Sequence, residues 1–278
     1  MLIFVSIRPL KETFKLDIYY KKKILNKNFK ILIAVRMKSS RLPEKAMLEI
    51  SNQALIERLI NRLAIVFPRN EIVICTSTHS QDIVLNKIAQ STGVEFFCGS
   101  ELDVMGRFLE ASKKFNISTI ARVTGDNPLT DPFQLQEMID FHRENSAEYT
   151  FTSCLPAGTK AEIIDIKALK RIYFEISDPS SSEYMTYMLN RPDKLRVVQY
   201  FVKDISLRRP ELSLTIDTSD DISLIREIYK EFYPNEPSLK EIIKWLDRNP
   251  SQKIIINPLS HDKAVIDGVD ISFQDDKT

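Results

Sequence analysis

The sequence predicts an α/β fold: a doubly wound, mostly parallel sheet flanked by helices, with a small mixed insertion of strands and helices. Short apolar runs without polar alternation, such as residues 31–35, are typical of strands buried on both faces of a parallel sheet. Amphipathic helices alternate with these runs over short connections, which is the order of βαβ crossovers. Because such crossovers are right-handed, they build a doubly wound sheet.

The predicted elements follow in a regular order through the first half of the chain. Apolar residues recur every three or four positions from Leu55 to Leu63 and predict the first helix. Gly93 is suited to end the second helix, because glycine readily adopts the left-handed conformation found at helix ends. The strands are predicted at residues 31–35, 71–75, 94–98 and 119–123, and the helices at 55–63, 80–91 and 108–115.

The second half of the chain predicts the mixed insertion, where the regular alternation is lost. Strands are predicted at residues 149–154, 162–166, 195–202 and 212–216, with helical segments near 167–174 and 181–190. Two amphipathic helices follow, near residues 222–232 and 239–246. We expect antiparallel strands in this region, together with one side of a binding cleft.

Composition limits the class of protein. A formal net charge of +1 over 278 residues argues against a nucleic-acid-binding protein, which normally carries a basic excess. No apolar run approaches the roughly 20 residues that span a bilayer, and the first residues lack the features of a signal peptide, so we expect no stable membrane insertion. The three separated cysteines, Cys75, Cys98 and Cys154, predict reduced thiols in a cytoplasmic protein, with Cys75 and Cys98 buried.

A basic loop follows the first strand directly. Its four cations, within ten residues, are Arg36, Lys38, Arg41 and Lys45. Open α/β sheets bind ligands at the carboxyl ends of their strands, and several cations at that place suit the charge of a polyphosphate. For this stretch alone, a solvated surface loop is the alternative interpretation.

Two acidic residues follow later strands. Asp126 comes after Gly125, where a predicted central strand ends. Asp217 directly follows the last predicted strand, and Ser219 or Asp220 is sufficient to cap the helix after it. For Asp126 alone, the alternative is that its side chain only forms a turn.

The stretch R-x-K-S-S-R-L-P-x-K in the basic loop resembles the signature of the cytidylyltransferases that activate sugar acids and related polyol or sugar substrates. The turn T-G-D-N-P and the later pattern T-x-D-x-x-x-D support the likeness. It is strongest to the spore-coat polysaccharide type and extends to the acylneuraminate and 3-deoxy-manno-octulosonate types. The resemblance implies a nucleotide-diphospho-sugar transferase-like fold. The expected division is a basic extension at residues 1–29, a nucleotidyltransferase domain at 30–249 and a tail at 250–278.

The resemblance also implies roles for individual residues. Asp126 and Asp217 match the two carboxylates that hold a magnesium ion, and Mg²⁺ is usually held by carboxylates together with phosphate oxygens. The residues expected to be catalytic are Arg36, Arg41, Lys45, Asp126 and Asp217. The residues expected to bind the nucleotide are Arg36, Ser39, Arg41, Lys45, Thr76, Ser77, Arg107, Gly125 and Asp126. The residues expected to bind the acceptor are Gly158, Glu162 and Glu183.

The function implied by the resemblance is a Mg²⁺-dependent transfer from CTP to a sugar acid, a sugar phosphate or a polyol phosphate, with release of pyrophosphate. It would serve the synthesis of surface glycans such as lipopolysaccharide. Relatives in this family tend to be dimers, which leaves a homodimer open. Arg122 matches the spore-coat type, without an implied role.

Three alternatives remain at the level of the sequence. Lys38 and Glu44 stand where glycine is common in the family, and Tyr184 stands where histidine is common. These departures favour a nucleotide-binding homologue that lacks turnover. A second alternative is an enzyme using UTP or GTP, because no residue identifies the base. The third, a GT-A glycosyltransferase, would be expected to show a D-x-D motif, and the turn at Asp126 is not one.

Overall fold

The computed structural model describes residues 28–39 and 42–256, which form one large sheet with helices on both faces. The strands in this part of the chain are β1 (Phe29–Ala34), β2 (Glu49–Ile50), β3 (Gln53–Ala54), β4 (Ile72–Ser77), β5 (Glu95–Gly99), β6 (Thr119–Thr124), β7 (Tyr149–Phe151), β8 (Glu162–Asp165) and β9 (Val197–Gln199). β2 and β3 pair only with each other. The other seven form a sheet in the order β5-β4-β1-β6-β8-β7-β9.

The parallel part of the sheet surrounds β1. This strand pairs in parallel with β4 and with β6, and β4 pairs in parallel with β5. Beyond β6 the directions are mixed, since β8 is antiparallel to both β6 and β7, whereas β7 is parallel to β9. The predicted fold, a mostly parallel sheet with a mixed insertion, is therefore confirmed.

Helices pack on both faces of this sheet. They are α1 (Leu55–Leu63), α2 (Val84–Thr92), α3 (Val104–Lys114), α4 (Pro132–Glu144), α5 (Ile166–Glu175), α6 (Met185–Leu189), α7 (Ser219–Phe232) and α8 (Leu239–Arg248). α3, α5 and α6 share one hydrophobic core, and the remaining helices share the other. Successive strand residues point to opposite faces, so Ile31 and Ile33 of β1 enter one core and Leu32 enters the other. Gly93 ends α2 with a φ of +71°, as predicted.

One helix of the central region is missing from the sequence prediction. α4 begins at Pro132, and the Asp131 side chain accepts hydrogen bonds from the backbone N–H groups of Phe133 and Gln134. An Asp cap followed by proline at the first helical position is a known start signal. The helix buries Leu135 on the sheet.

The predicted strand at residues 212–216 is wrong as a sheet strand. Among the residues that the structure describes, its backbone forms two isolated bridges, Ala157 with Ser213 and Leu212 with Ile255. The apolar alternation that suggested a strand is real, because Leu212 and Leu214 are buried in the larger core. Packing of the side chains, rather than a ladder of hydrogen bonds, explains the pattern.

Other elements of the mixed insertion are shorter than predicted. The ladder of β7 ends at Phe151, and that of β9 spans only Val197–Gln199. The helical segment predicted near 181–190 divides into a 3₁₀ helix at Pro179–Tyr184 and the short α6. Within residues 28–39 and 42–256, no helix has both the length and the apolar character needed to cross a membrane.

Candidate active site

The carboxyl ends of β1 and β6 lie side by side and bring the two acidic motifs together. The N–H of Gly125 donates to Ala34 O at 2.8 Å, so the turn after β6 lies against the end of β1. The N–H of Ile216 donates to Asp126 O at 3.0 Å. These two backbone bonds place Asp126 beside the segment that leads into Asp217.

Lys45 contacts both predicted metal ligands. Its Nζ lies 2.7 Å from Asp126 Oδ2, 3.2 Å from Asp217 Oδ1 and 3.1 Å from Ile216 O. The three charged side chains are partly buried, with exposed fractions of 15%, 25% and 24% in the order Lys45, Asp126, Asp217. The structure thus brings together three of the residues expected to be catalytic, with two negative charges facing one positive charge.

Gly125 is needed for this close arrangement of strands. A Cβ atom at this position would lie 2.6 Å from the Cβ of Val35, which is buried at the end of β1. Such a contact is far inside van der Waals distance, so any side chain would push the turn away from β1. Asp126 would move with the turn.

A cavity of about 530 Å³ lies in front of these strand ends and is here named the first cavity. Six residues expected to bind the nucleotide line it: Arg36, Ser39, Lys45, Arg107, Gly125 and Asp126. Five cations face this cavity, counting Lys38 and Arg122 with the three above, against the carboxylate of Asp126. Several cations around one carboxylate favour a polyanionic ligand. Arg41, also expected here, lies outside the described residues.

The backbone conformation at Glu44, at the base of the basic loop, explains why glycine suits this position. Glu44 adopts a φ of +54° and a ψ of 23°, in the left-handed region that glycine occupies without strain. Its N–H donates to Met37 O at 3.1 Å, which closes the loop. The chain thus keeps the loop conformation with a residue that favours it less. Lys38, the other departure, is exposed and pairs with Glu101 at 3.4 Å.

Arg107 reaches the first cavity from α3 and is otherwise almost completely buried. Its Nη1 donates to Ser100 O at 2.8 Å, while its buried Nε has no hydrogen-bond partner in the described part of the chain. Burial raises the pKa of the neighbouring Cys75 thiol to about 12, so this cysteine remains protonated. Cys98 differs from expectation, because its position on the edge strand β5 leaves it exposed.

Thr76 and Ser77, both expected to bind the nucleotide, end β4 and are buried. Neither lines the first cavity. Both hydroxyl groups donate instead to the carboxylate of Asp82, and the Thr76 bond measures 2.9 Å. Their predicted contact with a nucleotide stays a prediction.

A second cavity, of about 270 Å³, opens beside the first on the mixed half of the sheet. Its lining includes Arg122, Thr124, Gly158, Lys160, Glu162 and Thr186. Arg122 and Thr124 line both cavities. They are two positions apart on β6 and therefore point to the same face of the sheet. A ligand in one cavity thus lies next to a ligand in the other.

Glu162 forms a buried cluster at the wall of the second cavity. Its carboxylate accepts hydrogen bonds from Tyr149 Oη and from Arg122 Nη1. Burial alone would raise the pKa of Glu162, but the Arg122 guanidinium and the Tyr149 hydroxyl outweigh it and hold the pKa below its ordinary value of 4.5. Glu162 is therefore ionised, with both oxygens already engaged, and it fixes the guanidinium that the two cavities share.

Gly158 forms another part of that wall and has a φ of +83°. A Cβ atom would lie 2.3 Å from the backbone nitrogen of Thr215, so the glycine permits the two backbones to approach. Glu183, the third residue expected to bind the acceptor, belongs to the 3₁₀ helix Pro179–Tyr184. Its side chain lies outside the described residues.

Sequence reasoning missed two side chains of this region. Lys160 lines the second cavity, and Asp82 binds the end of β4. Arg122 was recognised but had no role, although its two-residue spacing from Thr124 placed both on one face of a strand. No comparable signal pointed to Asp82, because the Met37 N–H that it accepts lies 45 positions earlier in the sequence.

The donor groups of this site are hard oxygen atoms. Among the described residues, no group of three or more His, Cys, Asp and Glu side chains is arranged to hold a metal ion. Asp126 and Asp217 form a pair of carboxylates, which is the number of protein ligands that Mg²⁺ commonly uses beside phosphate oxygens.

Comparisons with known proteins show the family. The sequence pattern of the family described as cytidylyltransferase matches residues 30–242. The spore coat polysaccharide biosynthesis protein SpsF of Bacillus subtilis is 32% identical over 226 residues, which are 79% of this chain and 94% of SpsF. A 3-deoxy-manno-octulosonate cytidylyltransferase of Vesicomyosocius okutanii is 26% identical over 154 residues, 54% of this chain and 61% of that protein.

A solved structure shows the same similarity in three dimensions. A cytidylyltransferase from Leptospira borgpetersenii superposes with a TM-score of 0.76 at 28% identity, covering 81% of this chain and 96% of that one. The family match covers most of the chain and includes Lys45, Asp126 and Asp217. The chain therefore belongs to the cytidylyltransferase family and is a nucleotidyltransferase.

Proposed function

We propose that this enzyme transfers a cytidylyl group from CTP to an anionic sugar or polyol acceptor, with Mg²⁺ as cofactor. The observation that carries the proposal is the contact of Lys45 with both Asp126 and Asp217, at the border of a cationic cavity that adjoins a second one. Nucleotidyl transfer needs two neighbouring substrates and groups that neutralise phosphate charge.

The first cavity has the charge expected of a triphosphate site. Arg36 and Lys45 present cationic groups to it from the basic loop, and Arg107 does so from α3. Charge-assisted hydrogen bonds from such groups hold phosphate oxygens in a fixed geometry. Family membership favours CTP among the nucleoside triphosphates, while UTP and GTP remain the alternatives that a nucleotide panel tests.

The two carboxylates fit a magnesium ion. Asp126 and Asp217 would hold it, since their oxygens already lie against one common cation, the Lys45 ammonium. When bound, the ion supplies charge neutralisation at the phosphate groups, which promotes attack on the α-phosphorus and departure of pyrophosphate. Lys45 both pairs with these two carboxylates and lines the first cavity, so its ammonium is placed to contact the triphosphate.

The second cavity is proposed to bind the acceptor. Its lining contains two cations, Arg122 and Lys160, and one carboxylate, Glu162. Glu162 is paired with Arg122, which leaves a net positive charge for the ligand. We infer that the acceptor carries a carboxylate or a phosphate group, as sugar acids, sugar phosphates and polyol phosphates do.

Arg122 and Thr124 would contribute to positioning, because they contact the space of both substrates. The attacking acceptor oxygen must approach the α-phosphorus opposite the departing pyrophosphate, and holding two substrates in that line supplies much of the rate acceleration. By its relation to the spore-coat and 3-deoxy-manno-octulosonate types, the product would be an activated precursor of a surface polysaccharide.

The experiment is a panel of CTP, UTP, GTP and ATP against sugar acids, sugar phosphates, polyol phosphates and neutral sugars, with Mg²⁺. Pyrophosphate release reports turnover, and mass spectrometry identifies the product. We expect a cytidylyl product from CTP with one anionic acceptor class. A product only from UTP or GTP, or only with neutral sugars, would refute the assignment of the nucleotide or of the acceptor. Nucleotide binding without turnover across the panel would support a homologue that lacks activity.

A further inference from the structure

The carboxylate of Asp82 is buried at the end of β4 and makes four hydrogen bonds. Its side chain belongs to a short 3₁₀ helix, Ser80–Ile83, and the residue is 2% exposed. Oδ1 accepts the backbone N–H of Met37 at 2.7 Å. Oδ2 accepts the Thr76 hydroxyl at 2.9 Å, the Ser77 N–H at 3.2 Å and the Ser77 hydroxyl.

These bonds join segments that are distant in the sequence. Met37 lies 45 positions before Asp82, whereas Thr76 and Ser77 lie six and five positions before it. A buried carboxylate is costly unless donors satisfy its oxygens, and here both oxygens are satisfied. Oδ1 therefore keeps this hydrogen-bond donor only while the Met37 peptide remains against β4.

The Met37 peptide is also the base of the basic loop. The last backbone bond between β1 and β4 at this end is the long one from Val35 N to Cys75 O, at 3.4 Å. After it, Met37 N–H binds Asp82, and Met37 O accepts the Glu44 N–H that closes the loop. Both hydrogen-bonding groups of one residue thus fix where the loop leaves the sheet.

The residues next to this peptide face the first cavity. Arg36 precedes Met37, Lys38 follows it, and both line the cavity together with Lys45 beyond the loop closure. Asp82 itself does not line the cavity. It therefore makes no direct contact with a ligand there, and its hydrogen bond to Met37 acts on the ligand through the backbone.

We propose that Asp82 is a positioning residue for the triphosphate: by binding the Met37 N–H, it holds the backbone that carries Arg36 and Lys38 where these cations face the phosphate groups. This rests on the proposed function, because it takes the first cavity as the triphosphate site. The effect is on the phosphate groups and not on the base, so inorganic triphosphate and CTP are affected alike.

The test measures binding of inorganic triphosphate and of CTP, each with Mg²⁺, by calorimetry, for the wild type, Asp82→Asn and Asp82→Ala. We expect Asp82→Ala to weaken both ligands at least about tenfold, since a lost hydrogen bond to a charged group is worth about 1.5–3 kcal/mol. Asp82→Asn keeps one acceptor oxygen for two backbone N–H groups, so we expect an intermediate loss of about threefold. Amide exchange at Met37 should become faster in the same order.

The matched control is Asp165→Ala. Asp165 accepts two backbone N–H bonds, from Lys167 at 2.8 Å and Ala168 at 3.1 Å, but it pairs with Thr119 at the opposite end of β6. This variant should lose stability without a change in triphosphate affinity or in exchange at Met37. If the control weakened triphosphate binding as much as the Asp82 variants, the effect would be a general loss of stability, and the proposal would be wrong.

The possible results distinguish failure of this inference from failure of the proposed function on which it rests. If the wild type binds both ligands and the Asp82 variants bind them within twofold of it, with unchanged exchange at Met37, the inference is wrong and the proposed function stands. If the wild type binds neither ligand, the assignment of the first cavity as the triphosphate site is wrong, and both proposals are refuted. Should Asp82→Ala not fold, the same criterion applies to Asp82→Asn.

Discussion

The Lys45 ammonium and the Asp126 carboxylate lie 2.7 Å apart, although 81 positions separate them in the sequence. Asp217 contacts the same ammonium at 3.2 Å. One lysine thus joins the basic loop after β1 to the acidic turn after β6 and to the acidic segment before α7. All three side chains are partly exposed, and Lys45 and Asp126 line the first cavity, so this contact belongs to the ligand site and not to the core.

Replacing Lys45 by alanine should affect both binding and turnover. The variant leaves two neighbouring carboxylates without their shared cation and removes a positive charge from the first cavity. We expect a higher KM for the nucleotide and a loss of kcat on the order of a hundredfold, comparable with the removal of one transition-state contact in other enzymes. Steady-state pyrophosphate release with the acceptor found in the panel measures both constants.

Lys240→Ala is the control for this variant. Lys240 also makes a close ion pair, with Asp204 at 2.8 Å, but both side chains are well exposed and far along the chain from the basic loop. Exposed pairs contribute little, so KM and kcat should stay at wild-type values. Equal losses in the two variants would contradict a specific role for Lys45.

Replacing Lys160 by glutamine should affect the acceptor alone. Lys160 lines the second cavity and not the first, and it has no hydrogen bond or ion pair with another described residue. Loss of a charged hydrogen bond to an anionic acceptor corresponds to roughly a tenfold higher KM for that acceptor. The affinity for CTP, measured by calorimetry, should not change, and a matching loss of CTP affinity would show that the two cavities are wrongly assigned.

Gly158→Ala should destabilise the fold and narrow the second cavity. The backbone at Gly158 is left-handed, and a methyl group there would overlap the Thr215 backbone at 2.3 Å. We expect a loss of about 3 kcal/mol or more in the free energy of unfolding, measured in urea. Gly93→Ala is the control, because it has a similar φ but its nearest contact is Arg69 Cδ at 3.9 Å, and it should cost only about 1 kcal/mol. Equal losses would mean that the close approach at Gly158 is not tight.

His142 should lower the free energy of unfolding as the pH falls below 6.5. It is buried on α4 with its Nδ1 2.8 Å from Thr150 Oγ1, and burial lowers its pKa from 6.5 to about 4. The unfolded chain takes up this proton as pH falls through 6.5, while the folded protein takes it up only near pH 4. Stability is therefore lost between these two values, by about 3 kcal/mol in total.

The measurement is the free energy of unfolding from pH 7 to pH 4 for the wild type and His142→Asn. Asparagine retains groups that can bind Thr150 but does not titrate, so the variant should lose less stability over this range. Identical pH profiles would show that His142 does not titrate as its burial requires. Glu162 has a lowered pKa, so its ionised form is the one that stabilises the fold. Its protonation therefore adds a further loss of stability below about pH 4.5, which should be the same in both proteins.

The sequence predicts those parts of the site that follow from the order of strands and loops along the chain. The buried strand β1, the basic loop after it and the position of Asp126 beside that loop could all be predicted, because parallel strands bring their carboxyl ends to one edge of a sheet. For the segment before Asp217 the sequence predicts a strand, which is wrong. The acid still lies beside Asp126, because the Ile216 N–H binds Asp126 O.

The other features of the site depend on side-chain contacts that no short sequence motif predicts. Asp82 accepts a bond from Met37 across 45 positions, and Arg122 reaches Glu162 across 40 positions because β6 pairs with β8. Thr76 and Ser77 follow the predicted strand, yet their side chains turn towards Asp82, because a buried carboxylate must be satisfied.

The most direct test of the account is the rate of pyrophosphate release from CTP by Asp217→Asn in the presence of Mg²⁺ and the acceptor. The variant keeps the size of the side chain but removes the charge that faces Lys45 and would hold the metal. We predict that turnover falls to background while CTP binding is largely retained, and that Asp220→Asn, on the exposed first turn of α7, behaves as the wild type. Release at the wild-type rate by Asp217→Asn would contradict the account.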